Sequence, residues 1–417
     1  MPQQLTIGLF GFGVVGEGLY KILLQTPTLN AQIKKVVIKH ADKIRNAPDE
    51  LFTTDADELL SDPEINVIVE VINDTDAAFR IVSTALKNGK AVVSASKKMI
   101  AENLPKLLLI QEATGAPFLY ESAACASIPV IRNLEEYYDN DLLSAIQAIA
   151  NGSTNFILSR LFDDGISFSE ALETAQELGF AETDPTLDVD GHDAAYKLQI
   201  ILAHAYGIIC QQNDFLFSGI RNIGLRDAQY AREKGYQIKL VAQARKLENG
   251  GLAAFVLPQF IKSTHPLALV KDEYNGVLIE SGFSDQQFFY GKGAGSFPTA
   301  SAVLSDISAL SYNYRYAYKK LAQNKGGLGL SDDYFLSIYL SFEENTPIPL
   351  HHFESIEEWH REPGFNYITG RISVKTLWRN ELWRQRGQSL ILLPDAISDK
   401  PSTRRDTLKA SLEAFLN

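Results

Sequence analysis

Cysteine is scarce in this chain, with two among 417 residues. Cys125 and Cys210 cannot build a disulfide framework and lack the spacing of a metal-ligand cluster. Basic blocks are missing as well. With 39 Lys and Arg against 51 Asp and Glu, the formal net charge is −12, which argues against a nucleic-acid or anionic-membrane surface. No apolar run approaches the roughly 18 residues that span a bilayer. The longest, Ile200 to Cys210, is broken by His204 and Gly207. Met1-Pro-Gln-Gln leads straight toward an apolar strand, so no signal peptide is expected. There is no internal repeat and no low-complexity tract. What is left is a cytoplasmic globular protein, long enough for two or three domains.

Near the start, Leu5-Thr-Ile-Gly-Leu-Phe10 is a short apolar run. Gly11-Phe-Gly13-Val14-Val15-Gly16 and a helical pattern through Leu24 follow it. Strand, glycine turn and helix come in the order a dinucleotide fold requires. Gly11 would permit the tight turn, Gly13 the approach of backbone to a pyrophosphate, and Gly16 close packing of helix on strand. The helix N-terminus at Val14 and Val15 would face the phosphates. A second strand is expected over Lys34–Lys39. An NAD enzyme places an acid at its end, about 20 residues past the glycines. Lys39 and His40 hold that place here, which favours the 2′-phosphate of NADP, with NAD as the alternative. Val67–Ile72 reads as a buried parallel strand and Asp76–Asn88 as a helix. Val92–Lys98 reads as the next strand and its C-terminal edge, where ligands gather in open α/β sheets.

Gly179-Phe-Ala-Glu-Thr-Asp-Pro-Thr-Leu-Asp-Val-Asp-Gly-His-Asp-Ala-Ala-Tyr-Lys197 carries five carboxylates and closes on a lysine. Asp184-Pro185 and Asp190-Gly191 read as turns, and a helix is expected from His192. Asp193 and Lys197 would be i,i+4 neighbours near its N-terminus. An amine beside a carboxylate, at the edge of an acidic loop, suits gripping an ammonium group and moving a proton. A surface salt bridge would use the same pair. A calcium loop would use some of the same acids, but the EF-hand ligand spacing is missing. Upstream, Leu143–Ala150 reads as a strand running into Asn151-Gly-Ser-Thr-Asn-Phe-Ile-Leu158, whose polar groups suit a helix cap or a ligand. Downstream, Ile220–Gly224, Lys239–Lys246, Leu252–Pro258 and Tyr274–Gly282 read as an antiparallel sheet. Tyr290–Ile307 puts glycines ahead of a helix with Pro298 near its first turn, an anion-receptive arrangement.

Taken whole, the 179–197 stretch resembles homoserine dehydrogenase, meeting every fixed position of that family's G-[YF]-A-E-x-D-P-x-x-D-[VL]-x-G-x-D-A-x-x-K pattern. Segments in family order between Gly11 and Asp306 support it. Val92–Lys98 is similar to V-V-T-A-N-K, Asn151–Leu158 to N-G-T-[TS]-N-[YF]-I-L, and Gly291–Asp306 to G-x-G-A-G-x-x-P-T-A-x-A-V-x-x-D. The resemblance implies an NAD(P)-dependent oxidoreductase interconverting L-aspartate-4-semialdehyde and L-homoserine, in threonine, methionine and isoleucine biosynthesis. It implies Lys197 and Lys97 as the proton-handling lysines, with Asp193 orienting Lys197. It turns Glu182, Asp188, Gly152 and Thr154 toward substrate. Toward cofactor it adds Thr75, Lys97, Gly295 and Thr299 to the glycine turn and Lys39. It further implies a monovalent cation, Na+ or K+, on Glu121 and the carbonyls of Ala124, Ala126 and Ile128. The sequence departs from the family at Ser94 and Ser96, at Asn73-Asp74, at Ser153, and at Cys125-Ala-Ser127 in place of glycines. Cys125 reads as a small buried residue. A small-molecule substrate, no nucleic acid, no membrane, and a homodimer complete the expectation.

The expected fold class is α/β. A Rossmann-type doubly wound NAD(P)-binding domain covers 1–135, and an α+β substrate and dimerisation domain with an open sheet covers 136–295. A helix over 296–323 returns to the nucleotide domain, and a small α+β domain over 330–417 follows the linker Asn324–Gly329. In that tail Asp333–Phe342, Tyr367–Thr376 and Ser389–Pro394 read as strands, Ser355–Arg361 and Thr403–Leu416 as helices. The order is roughly the βαββαβ of an ACT domain without its D-x-P-G-x-[LI] loop. A degenerate ACT-like module and a plain dimerisation domain both stand. No kinase segment precedes Leu5, so the monofunctional form is expected. Two rivals stay open: another NAD(P) oxidoreductase of the same fold, and a catalytically silent regulatory protein.

Overall fold

The computed structural model describes residues 4–140, 142–343, 346, 348–380 and 387–400; the helix expected over Thr403–Leu416 lies outside them. The chain forms two compact units. One gathers Met1–Asp141, Tyr196–Gln211 and Gly291–Lys325, the other Leu142–Ala195, Gln212–Tyr290 and Gly326–Asn417.

The first unit begins with β1 (Leu5–Phe10), α1 (Val14–Gln25), β2 (Ala31–Val37), β3 (Phe52–Thr53), α2 (Ala56–Leu60) and β4 (Val67–Glu70). It continues with α3 (Thr75–Lys87), β5 (Ala91–Ser94), α4 (Lys97–Thr114), β6 (Phe118–Leu119), α5 (Ser122–Cys125) and α6 (Val130–Glu136). The strands form one parallel sheet in the order β3-β2-β1-β4-β5-β6. Ile7, Leu9, Ile68, Val69, Val92 and Val93 are wholly buried, as expected for strands covered on both faces and read as unbroken apolar runs. The strand order reverses between β1 and β4, and in such sheets ligands bind at the carboxyl ends beside that reversal.

The chain goes on through β7 (Leu143–Ile149), α7 (Gly152–Asp163), α8 (Phe168–Glu177), α9 (Thr186–Val189) and α10 (His192–Tyr206). Then come β8 (Leu216–Phe217), α11 (Leu225–Glu233), β9 (Tyr236–Lys246), β10 (Leu252–Lys262), β11 (Tyr274–Ser281) and β12 (Asp285–Lys292). α12 (Ser296–Leu310) and α13 (Lys319–Gln323) belong to the first unit. The tail supplies β13 (Phe335–Phe342), β14 (Phe353–Glu362), β15 (Phe365–Ser373), α14 (Val374–Asn380) and β16 (Gln388–Ser398). In the second unit one sheet runs β12-β11-β7-β9-β10-β16-β13-β15-β14, with β8 on β10.

Three tail and loop expectations are corrected. Ser355–Arg361 is not a helix but lies within β14, paired antiparallel with β15. The cue was Pro363-Gly364, with Gly364 at φ 78°, because proline followed by a positive-φ glycine closes a tight hairpin. Thr376 is not in a strand; β15 stops at Ser373 and α14 begins at Val374. The described tail therefore reads β-β-β-α-β, which is not the ACT order. Ile220–Gly224 is a turn rather than a strand, with Ile220 N–H bound to the Val189 carbonyl and Ile223 N–H to that of Ile220. The tail also shares its core with the substrate half. Leu336, Ile338, Leu340, Ile368 and Leu392 pack in one cluster with Leu216, Phe255 and Leu257.

Candidate active site

The glycine turn is built as a phosphate cradle. Gly11 sits at φ 101°, and a Cβ on Gly16 would stand 2.1 Å from the Gly11 carbonyl oxygen. Side chains at either position are thus excluded. A Cβ on Gly13 would meet nothing within 4 Å, so the backbone there is open to a ligand. Gly13 caps α1 without a side-chain bond, leaving first-turn N–H groups aimed outward at Val14, which is 67% exposed, and half-buried Val15. These residues fit a dinucleotide. α12 packs on the same turn. Ser296 Oγ donates to the Val14 carbonyl at 2.7 Å, and a Cβ on Gly18 would lie 2.5 Å from that hydroxyl. Gly295, at φ 111°, and Thr299, whose N–H meets the Gly295 carbonyl, are thereby brought to the glycine turn. Lys39 is exposed just past β2. Beyond it, Lys43 and Arg45 line a hollow with Phe12 and Glu17, and the Arg45 guanidinium lies over the Phe52 ring.

At the ends of β4 and β5 a buried carboxylate organises two loops. Glu70 accepts from Ser94 Oγ at 2.6 Å, Ser96 Oγ at 2.8 Å and Ile72 N–H at 2.7 Å. Burial raises its pKa against those three bonds. Ser94 and Ser96, which depart from the family pattern, are thus the residues that hold this edge. Lys97 starts α4 directly after them and Thr75 starts α3, behind its cap Asp74. α4 is tied to α10 within the same unit, since Tyr196 Oη donates to Glu102 at 3.1 Å. Lys97 and Lys197 therefore stand on helices joined one residue before Lys197.

Glu121, which the resemblance assigns to a cation, is fixed by the start of the next helix. Its carboxylate accepts from the N–H groups of Ile131 and Arg132, at 2.8 and 2.9 Å, at the start of α6. The Ile128 carbonyl takes Val130 N–H at 2.8 Å. Ala126 keeps a glycine-like backbone at φ 47°, and Ala124 lies buried in α5. The Glu121 carboxylate oxygens and the Ile128 carbonyl each take a single backbone N–H. A carboxylate or carbonyl keeps further lone pairs, so the donor set still offers a monovalent cation hard oxygen ligands. Beside them Asp306 accepts from Glu121 N–H and from Arg132. Burial, with Asp306 adding to it, pushes Glu121 up to about 8. Cys125 is buried and forms no disulfide.

In the second unit one amide gathers the acidic loop. Asn151 Nδ2 donates to Asp188 at 2.7 Å and to Asp193 at 2.8 Å. Its Oδ1 caps α7 by accepting Thr154 N–H at 2.8 Å. Asn, first choice for a cap, thus joins the helix start to two carboxylates. Gly152 is required behind it, since a Cβ would lie 2.5 Å from the Glu273 carbonyl. Thr154 is buried and closes on the Asn151 carbonyl. Asp193 is 3% exposed; Lys197, one turn further along α10 and counted with the first unit, is 7% exposed. Asp190 is diverted into an ion pair with Arg221. Glu182 is not brought into this group; its side chain is exposed and its carbonyl accepts from Gln176.

Asn151 opens a matched motif, though not as a holder of carboxylates, and Glu70, Lys43 and Arg45 are picked out by no motif as functional. The Asn-Gly pair opening α7 signals the first; nothing local signals that Glu70 turns inward.

Comparison with known proteins agrees with the geometry. The homoserine dehydrogenase model matches residues 129–308 and the homoserine dehydrogenase NAD-binding model residues 11–121. The chain is 39% identical over 315 residues to homoserine dehydrogenase of Synechocystis sp., covering 73% of each. It is 34% identical over 322 residues to that of Bacillus subtilis, covering 75% of this chain and 74% of the other. The crystal structure of a homoserine dehydrogenase from Thiobacillus denitrificans superposes with a TM-score of 0.82 at 29% identity, covering 93% of this chain and 98% of that one. A hyperthermophilic archaeal homoserine dehydrogenase in complex with NADPH gives a TM-score of 0.65 at 27% identity, over 75% and 99%. With a glycine cradle for the dinucleotide and an amide-gathered acidic loop leading into Lys197, the chain belongs to the homoserine dehydrogenase family.

Proposed function

We propose that this NAD(P)-dependent homoserine dehydrogenase, reducing L-aspartate-4-semialdehyde to L-homoserine, uses Lys197 to supply the proton that the new hydroxyl needs. The observation that carries the reading is Asn151 holding Asp188 and Asp193 together at the N-terminus of the helix that bears Lys197. The nicotinamide, when bound, supplies the hydride. Lys197 hydrogen-bonds the aldehyde oxygen and delivers a proton as negative charge develops there. Asp193, one turn away, orients the ammonium, and Lys97 assists from the start of α4. Asp188 meets the substrate's ammonium group, with Gly152 and Thr154 shaping the adjoining backbone. Glu182, exposed and outside the group that Asn151 gathers, is given no part in this step.

Gly11, Gly13, Val14, Val15 and Gly16 carry the pyrophosphate, with Thr75, Gly295 and Thr299 beside the cofactor. Lys39, together with Lys43 and Arg45, favours NADP through its 2′-phosphate. Glu121 and the carbonyls of Ala124, Ala126 and Ile128 would hold the Na+ or K+ through their remaining lone pairs, and no step is routed through it. The enzyme is read as a cytoplasmic homodimer, and Cys125 and Cys210, buried and outside any disulfide, suit the cytoplasmic part of that reading. NADPH and NADH oxidation with L-aspartate-4-semialdehyde, with and without K+, tests the whole. Turnover favouring NADPH and raised by K+ is expected; preference for NADH or indifference to K+ would overturn those assignments.

A further inference from the structure

Lys239 lies in the middle of β9 and is 2% exposed. Its Nζ is held by two uncharged oxygens, Asn155 Oδ1 at 3.0 Å and the Val270 carbonyl at 2.5 Å. Asp163 and Asp272 act on it only through space. An ammonium buried without a contacting carboxylate is costly, and an apolar side chain in a strand position would avoid that cost. What the lysine touches explains its place. Asn155, in the first turn of α7, turns its amide onto the carbonyls of Val270, Asp272 and Tyr274, at 3.3, 2.9 and 3.2 Å. Ser159, one turn on, donates to the Asn155 carbonyl and accepts Asp272 N–H. The Glu273 carbonyl presses on Gly152, where no Cβ would fit. Segment 270–274 is therefore clasped to the start of α7, and Lys239 pins the clasp to the sheet.

We propose that Lys239 is a positioning residue for the homoserine dehydrogenase reaction. Through Asn155 and segment 270–274 it fixes the first turn of α7, and with it the Asn151 amide that gathers Asp188 and Asp193. The inference rests on the reading of those carboxylates as substrate and proton-relay groups. The lysine contributes no proton and touches no substrate; removing it lets Asn151 drift from two acids it must hold within hydrogen-bond range. A 1 Å displacement of such a group can cost on the order of a hundredfold in rate.

The test is a double-mutant cycle of Lys239→Met and Asn151→Ala, read as kcat/KM for L-homoserine at saturating NADP, with the KM for NADP measured beside it. Lys239→Met is expected to lower kcat/KM for L-homoserine by about thirtyfold or more, leaving the KM for NADP within about twofold. The double variant is expected to lose little beyond the worse single, because both changes release the same amide. Losses that multiply independently, or a Lys239→Met variant with kcat/KM for L-homoserine near the parent value, would overturn the proposal. Should Lys239→Met not fold, Asn155→Ala takes its place in the cycle with the same criteria. Lys197→Ala is run alongside. If it keeps near-parent turnover, the reading of the site fails; if it is inactive while the cycle is additive, only the clasp fails.

Discussion

At the scale of single residues, the chemistry of this chain depends on polar groups placed where burial makes them expensive. Lys239 is one. Burial lowers its pKa to about 8 against a small opposing influence of Asp163. A lysine lowered in the folded state carries its full penalty at pH below about 8, and the penalty lifts as pH rises toward its ordinary value near 10.5. The melting temperature of the parent, relative to Lys239→Met, should therefore rise between pH 8 and 10; a flat difference would contradict the shift. Arg45 is the opposite case, a half-buried cation over Phe52 beside the glycine turn. Arg45→Ala should lower the NADP-over-NAD preference by about tenfold, the worth of one charge-assisted hydrogen bond, as measured by kcat/KM with each cofactor. An unchanged ratio would remove Arg45 from the 2′-phosphate. Lys39 and His40 were readable as candidates at the end of β2 because that position lies toward the ribose in a dinucleotide fold. Arg45 was not, since it reaches that side only through a loop that folds back over Phe52.

At the scale of elements, the strand-glycine-helix order of β1 and α1 was readable, because glycine spacing and apolar runs are local signals. The acidic loop was readable for the same reason. β14 was not. Ser-Ile-Glu-Glu-Trp-His-Arg has a helical look, yet its six pairings to β15 and the Pro-Gly turn make it a strand, a case of sheet pairing overriding local preference. The turn after β8 misled in the other direction, since its isoleucines are buried by packing rather than by strand pairing. Gly219 shows how tightly it is set. A Cβ there would fall 1.8 Å from the Val189 carbonyl, just ahead of Asp190 and the start of α10. Gly219→Ala should cost more than about 3 kcal/mol by overpacking backbone, visible in denaturant unfolding. A variant with parent stability would show that α9 can move aside freely.

For the whole molecule, the tail is part of the substrate half's architecture and not an appended module. β16 pairs with both β10 and β13, and Phe255, Leu257 and Leu216 lie in the same core as the tail's Leu336, Ile338 and Leu392. No stretch of sequence shows this, because the linker composition of Asn324–Gly329 looks like a domain boundary while the pairing that crosses it is long-range. Truncation after Lys325 should expose that core and give an aggregating or unfolded chain; a soluble, active truncation would restore the separate-domain view.

The central claim is that the acidic loop and α10 place Lys197 to protonate the product. The most direct measurement is NADPH oxidation with L-aspartate-4-semialdehyde by the parent and by Lys197→Ala, with circular dichroism to confirm that both are folded. The account expects brisk turnover by the parent and a loss of about 10²-fold or more in kcat for the variant, the range of a removed proton donor. A folded Lys197→Ala protein with near-parent kcat would contradict it.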